Sequence, residues 1–338
     1  MQKRSDIPRW QKLTAAYQKP DTLRSVWQLV NTVVPYLILW YLMYRSLEVS
    51  YWLTLALAAL ASGFLVRTFI IFHDCCHGSF LESKRATDIV GFLTGVLTFT
   101  PYDRWRREHS VHHATAGDLD RRDQGGEIWT LTVDEYRAAP LRTRTAYRLY
   151  RSPLVMFTIG PSFLFLFKHR FSDRQARRRE RLNVYWTNVG VVAFVATLIW
   201  LMGLRAYLMI QLPIMIFGGA VAVWLFYVQH QYEGVYWDRH DQWDYTMAAV
   251  EGSSFYELPR ILHWFTGNIG YHHIHHLSPR VPNYLLRKCH EENPALAPAR
   301  PLTPLASLKS LRLRLWDEEH RQMVSFRDLS RQGDAESA

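Results

Sequence analysis

Four stretches of the chain are apolar over close to the ~20 residues that a helix needs to cross a bilayer core. The first, Val26 to Tyr44, is interrupted by Gln28, Asn31 and Pro35. A short turn at Leu47 to Ser50 leads into the second, Tyr51 to Phe72, broken only by Arg67, whose side chain is expected to snorkel to the headgroups. Val184 to Leu201 is the third, Gly203 to Arg205 a tight turn, and Ala206 to Val228 the fourth. This pattern predicts two transmembrane hairpins. Two further apolar runs, Ile89 to Pro101 and Pro153 to Phe167 with Gly160 and Pro161 at its middle, are short for a span.

The polar stretches between these runs carry histidines at helical spacing. His73 and His77 stand at i and i+4, and His109, His112 and His113 at i, i+3 and i+4. His272, His275 and His276 repeat the triplet. On a helix such residues share a face, so each cluster is expected to present its imidazoles in one direction. Imidazole suits zinc, copper, iron and nickel. Eight clustered ligands exceed what one tetrahedral zinc takes, which makes two metals the economical reading. His230, at the exit of the fourth run, joins them as a ninth ligand by its position. Asn268, one turn before His272, is a candidate ligand, direct or through water, or else a helix cap. Asp74 and Asp120 are candidates to orient ligating imidazoles. His273 falls off the repeat, and His169, His240, His263, His290 and His320 have no partner at ligand spacing; these are read as structural or surface residues.

A shared site constrains the topology. If only one of the two short runs spanned, at least one histidine cluster would lie across the membrane from another. If both did, the second cluster would be cut off from the first and third. Both are therefore read as interfacial or re-entrant pieces. The expected architecture is an all-α integral membrane protein with four transmembrane helices in two hairpins and a cytosolic helical cap holding the histidines. Its segments are a cytosolic N-terminal piece at 1–25, the first hairpin at 26–72, cap at 73–183, the second hairpin at 184–228, and cap with a C-terminal tail at 229–338.

Composition changes this picture little. The mean hydropathy of −0.15 would pass for a soluble protein, because Arg-rich segments average out the apolar runs. The formal charge of +10 could suggest nucleic acid, but the basic residues flank the runs, at Lys3, Arg4, Arg9 and Lys12 and again from Lys168 through Arg181. That is the positive-inside pattern, with no nucleic-acid partner implied. Three cysteines, two of them adjacent at Cys75 and Cys76, argue against structural disulfides and cannot supply the four ligands of an iron–sulfur cluster. Met1 to Lys19 is charged, without the apolar core of a signal peptide.

Two histidine-bound metals at a bilayer surface suit one task above others. The saturated methylenes of acyl chains offer neither an acidic proton nor an electrophile, so chemistry on them needs a strong oxidant made from dioxygen, which two adjacent irons can generate. The residues agree. His73-Asp74-Cys75-Cys76-His77-Gly78-Ser79, His109-Ser110-Val111-His112-His113 and Gly267 to Pro279 resemble the three histidine boxes of membrane fatty acid desaturases. Over most of its length, including Phe226 to Glu233 and Glu251 to Tyr256, the chain is similar to bacterial acyl-lipid desaturases of the delta-12 (omega-6) and Gram-positive delta-5 type. The resemblance implies two iron ions, dioxygen as co-substrate, and a cis double bond inserted into phospholipid-linked acyl chains at a site on the cytoplasmic side of the bacterial inner membrane. It carries the box histidines over as ligands, His230 as the additional ligand, and Asn268 as a possible one.

His272 stands where front-end desaturases carry Gln, and no His-Pro-Gly-Gly motif of a fused cytochrome b5 is present. Related hydroxylases and ketolases share the boxes and remain an alternative. An intramembrane zinc metalloprotease is another, because His73-Asp74-Cys75-Cys76-His77 is one methylene from His-Glu-x-x-His. A transporter would instead put its ligands inside the spans. Reducing dioxygen to two waters takes four electrons, of which the substrate supplies two. With no donor motif in the chain, a ferredoxin, flavodoxin or similar carrier is expected to bring the rest. Arg104, Arg106, Arg107 and Arg177 to Arg179 are candidates to dock it, or to bind anionic lipid. Double-bond position, chain length, headgroup preference and oligomeric state are not legible.

Overall fold

The computed structural model describes residues 9–298 and 300–329. Lys3, Arg4 and the tail after Arg331 lie outside them. Helix α1 (Arg9–Ala15) leads to α2 (Thr22–Ser46), whose first turn is capped by Asp21 accepting from the Arg24 N–H at 3.1 Å. Helix α3 (Tyr51–His77) returns alongside α2. It ends because Gly78 takes the left-handed conformation at φ 68°, where its N–H meets the Asp74 and Cys75 carbonyls. That stop leaves the His73/His77 pair on the last turn of the helix.

Helix α4 (Lys84–Leu97) takes in the first short apolar run as far as Leu97 and, at 14 residues, lies against α3 without the length of a full span. Helix α5 (Tyr102–Thr115) carries the second cluster. The Tyr102 hydroxyl fixes its start by donating to the Cys75 carbonyl at 2.7 Å. After the short α6 (Val133–Ala138) comes a broken element: α7 (Leu141–Tyr150), a π-helical turn at Val155–Ile159 and α8 (Gly160–Leu166). The two arms are bent by 61°. Leu154, Ile159, Phe163 and Phe167 face outward from it, while Pro161 packs on the bare backbone of Gly219.

The second hairpin is α9 (Arg178–Met202) and α10 (Leu204–His230), joined through Gly203 at φ 82°. Helices α2, α3, α9 and α10 are long and apolar enough to cross a membrane, as the hydropathy pattern predicts. Their environments differ. In the most apolar window of α3, 61% of residues are buried, against 17% in α9, so α3 is the axis of the bundle and α9 its exposed edge.

The remaining chain forms a cap: α11 (Tyr245–Val250), α12 (Arg260–Phe265), α13 (His272–Leu277), α14 (Asn283–Glu292) and α15 (Pro304–Ser307). It is not wholly helical. Strands β1 (Leu131–Thr132), β2 (Leu315–Asp317) and β3 (Gln322–Val324) form a small sheet in that order, parallel then antiparallel. These segments are too short for periodicity to reveal.

Arg67 departs from expectation. It is buried, its Nε donating to Thr32 Oγ1 at 3.0 Å, its Nη1 to the Trp264 carbonyl, and its guanidinium lying 4.0 Å over the Trp264 ring. It does not snorkel, because α12 reaches down the hairpin and brings an acceptor to it. Phe265 packs on Gly63, ten residues before His73 and so ~15 Å lower at 1.5 Å per residue.

Candidate metal centre

Three helix ends and one short helix converge on a single buried region. The last turn of α3 brings His73 and His77, α5 brings His109, His112 and His113, the C-terminus of α10 brings His230, and α13 brings His272, His275 and His276. They sort into two sets: His73, His77, His109, His113 and His275 in one, His112, His230, His272 and His276 in the other. Within each set the ligand atoms all lie within 4.8 Å of one another. All nine predicted histidines are included.

The sorting differs from the expectation that each triplet points one way. His109 and His113 share a set while His112 joins the other; His272 and His276 share a set while His275 crosses over. Helix geometry explains it. At about 100° per residue, i+4 lies ~40° from i on one side and i+3 ~60° on the other, which separates i+3 from i+4 by ~100°. Each triplet therefore straddles both sets, and α5 and α13 bridge them.

The donor atoms fit a metal. His112 Nε2 and His272 Nε2 approach His230 Nε2 to 3.1 and 2.9 Å, and His109 Nε2 and His275 Nε2 approach His113 Nε2 to 3.1 and 3.0 Å. Two imidazole nitrogens at about 2.1 Å from one ion, at a right angle, would stand ~3.0 Å apart. Burial, reinforced by neighbouring imidazoles, holds His109, His113, His272, His275 and His276 well below the ordinary histidine range and pushes His112 down to about 3. The rings are neutral and their lone pairs available for ligation. His77 Nε2 and His276 Nε2 are buried without a protein partner. His73 and His77 share their set with three further histidines, more than a zinc hydrolase site uses.

Asp74 stands where a group orienting His73 should. Its Oδ1 lies 3.3 Å from His73 Nδ1, and its Oδ2 accepts from the Asn283 N–H and Nδ2 at 2.7 and 2.8 Å. Asp120 does not play this part. Its carboxylate takes Arg239 Nη1 at 2.6 Å and the His240 N–H at 2.9 Å, on the surface. The buried carboxyl near the second set is instead Glu127, 3.5 Å from His112 Nδ1, which burial pushes up to about 8. Sequence spacing gave no sign of it. The available signal is Gly125, where a Cβ would lie 2.6 Å from His112 Cα, so that only glycine lets this loop touch α5.

Asn268 lies in a left-handed turn at φ 58° and donates its amide to the Asn283 carbonyl at 3.2 Å. It is not the cap of α13, a position held by Tyr271. His273 turns away to meet His290 Nδ1 at 3.0 Å. His240 pairs with Asp118 and His320 with Asp317, while His263 stacks on Tyr271. Trp105, one turn before His109, stacks on that ring with centroids 4.2 Å apart. Of the arginines named as candidates to dock a carrier or bind anionic lipid, Arg104 is buried against Glu108 and Asp173, Arg106, Arg107 and Arg179 pair with Asp88, Glu180 and Asp103, and Arg177 and Arg178 are exposed.

A cavity of about 200 Å³ opens onto both sets. His73, His109, His112 and His272 line it, Val66, Phe69, Phe165 and Leu225 are among its apolar walls, and His169 also lines it. Exposed Lys168 and Gly126 stand on its rim. A larger groove of about 920 Å³ beside the sheet, lined by Glu233, Arg312, Arg314 and their neighbours, contains no histidine. The chemistry belongs to the smaller space. It offers unreactive walls for a hydrocarbon and nitrogen donors for metal beside them.

Comparisons with known proteins agree. Residues 49–305 match the family model described as fatty acid desaturase. The chain is 54% identical to a fatty acid desaturase of Bacillus subtilis (strain 168) over 316 residues, 94% of this chain and 90% of that protein. It is 27% identical to the sn-1 oleoyl-lipid 12-desaturase of Anabaena variabilis, covering 72% of this chain and 70% of the relative. It is 28% identical to the sn-1 acyl-lipid omega-3 desaturase (ferredoxin) of Synechocystis, over 66% and 62% of the two chains.

Proposed function

The chain belongs to the fatty acid desaturase family, a family of oxidoreductases, and from that premise we propose that it inserts a cis double bond into acyl chains of intact membrane phospholipids. The observation that carries the reading is the convergence of nine histidines in two sets, four of which line a largely apolar cavity. His73, His77, His109, His113 and His275 hold one iron and His112, His230, His272 and His276 the other, with Asn268 a further candidate. Bound iron would supply the activation of dioxygen that an unactivated methylene requires.

The protein's own residues do the rest. Phe69, Phe165, Val66 and Leu225 hold the chain and exclude water, so that a carbon deep in the cavity faces the histidines. Lys168 on the rim meets the headgroup end. Asp74 fixes the His73 ring. The acyl-lipid substrate is supported by the names of the cyanobacterial relatives, and an external ferredoxin-type carrier by one of them. The site faces the cytoplasm of a bacterial inner membrane, with both termini on that side. In this topology the bent α7–α8 element is re-entrant, and a reporter fused after Phe167 reads cytoplasmic. A periplasmic signal there would break the shared-site topology.

The decisive experiment is expression in a host that lacks desaturases, with lipid-resolved mass spectrometry of the new double bonds. Unsaturated chains in intact phospholipid are the expected product. Hydroxylated or ketonic chains would move the reading to the related oxygen-inserting enzymes. In a purified system, turnover is expected only when ferredoxin or flavodoxin and a reductase are added. Sustained turnover with NADPH alone would refute the external carrier.

A further inference from the structure

The two histidine sets are supported unequally, and the difference points to a residue with no role so far. The set containing His73 has Asp74 beside His73 Nδ1, itself pinned by two donors from Asn283. In the other set, His230 Nδ1 faces the Gly252 carbonyl at 3.3 Å, but His112 Nδ1 is buried with no hydrogen bond. The polar atom that approaches it is Glu127 Oε1, at 3.5 Å. The two side chains are 2% and 8% exposed. Among the described residues Glu127 makes no other hydrogen bond or ion pair. A buried carboxylate with no donor is expensive, and so is a buried N–H with no acceptor. Each is the remedy for the other.

We propose that Glu127 is a positioning residue for the metal set of His112, His230, His272 and His276: its carboxylate accepts from His112 Nδ1–H and holds the ring with Nε2 toward that set. The inference rests on the reading of these histidines as iron ligands. Glu127 itself is not one of the convergent ligands, since its oxygens fall outside both groups. Its placement is built into the backbone. Gly125 allows the loop to press on α5, and Gly126 at φ 72° turns the chain so that Glu127 follows. The arrangement repeats, with a residue from a different part of the chain, what Asp74 does for His73.

The test compares full-length wild type with Glu127→Gln, Glu127→Ala and Glu127→Asp, purified and loaded with iron(II). Iron per chain, affinity by chelator competition and the Mössbauer spectrum are read for each. Partners of ligating histidines typically contribute 10–100-fold in metal affinity. Gln and Ala are expected to weaken one of the two irons by about that factor, altering one spectral component and leaving the other unchanged, with partial recovery in Asp. The metal-free Glu127→Gln protein should melt no lower than wild type, because a buried ionisable group has been replaced by a neutral one of the same shape. Wild-type affinity and spectrum in Glu127→Ala would overturn the proposal. So would equal weakening of both irons with a lower metal-free melting temperature, the mark of a merely structural residue. A wild-type protein that never holds two irons would overturn the di-iron reading itself, and this inference with it.

Discussion

Replacing His230 by Ala tests the division of the site most sharply. His230 lies at the end of α10, and its Nε2 is within 3.1 Å of two others in a set of four, so its loss leaves three imidazoles. A structural zinc held by four ligands is bound by about 10–16 kcal/mol, or roughly 2.5–4 kcal/mol per ligand. Iron(II) binds such sites less tightly than zinc, which favours the lower figure. At 1.4 kcal/mol per tenfold, the affinity of that iron should fall by roughly 100-fold. His109→Ala leaves four imidazoles in the other set and should lose less. The control is His273→Asn, one residue from His272 but paired with His290. It should keep both irons and lose only about 1 kcal/mol of stability for one hydrogen bond. Iron per chain and affinity by chelator titration, alongside melting temperature, separate the three. A His230→Ala protein with two irons of wild-type affinity, or a His273→Asn protein missing one, would refute the assignment of the sets.

Ala222→Trp, which crowds the cavity wall without touching a ligand, should reduce desaturation roughly 100-fold by displacing the acyl chain while leaving the iron content unchanged; normal product yield would mean the substrate lies elsewhere. Arg67→Met strips the Trp264 carbonyl of its charged donor and should lower stability in detergent by about 1.5–3 kcal/mol, read as a drop in melting temperature. The metal-free protein should lose stability on acidification. Unfolded imidazoles take up protons near pH 6.5 while the buried rings stay neutral, down to about 3 for His112, so stability is complete above that range and falls by up to about 1.4 kcal/mol per pH unit per histidine below it. A melting temperature that does not change between pH 8 and pH 5 would contradict the buried neutral state.

The four candidate spans and the convergent histidines were legible because both follow from local rules. Apolar length reports a crossing helix, and i, i+3, i+4 spacing reports a shared face. His230 needed only the inference that the fourth span returns to the site. What escaped was set by contacts between distant segments. Arg67 could not be read as buried without knowing that Trp264 would come to meet it. Asp120 and Glu127 are both acids in the irregular stretch after α5, and nothing in their spacing says that Arg239 claims the first while Gly125 delivers the second to His112. Nor could the ion pairs of Arg104, Arg106, Arg107 and Arg179 be read, because their partners, Asp88, Asp103, Asp173 and Glu180, are dispersed along the chain.

The bond from Arg67 to the Trp264 carbonyl joins residues 197 positions apart. During synthesis α3 must enter the bilayer with that guanidinium long before its acceptor exists. At about 5–20 residues per second, the interval is roughly 10–40 s. An arginine within a span opposes insertion by up to about 2.5–3.5 kcal/mol, the figure for a helix centre, which the apolar remainder of α3 and the earlier α2, through Thr32, must outweigh meanwhile. The nascent first hairpin is thus a provisional structure. A chain released before residue 264 would leave it with a charge in the membrane and no acceptor from α12, a ready mark by which quality control can tell an unfinished molecule from a finished one.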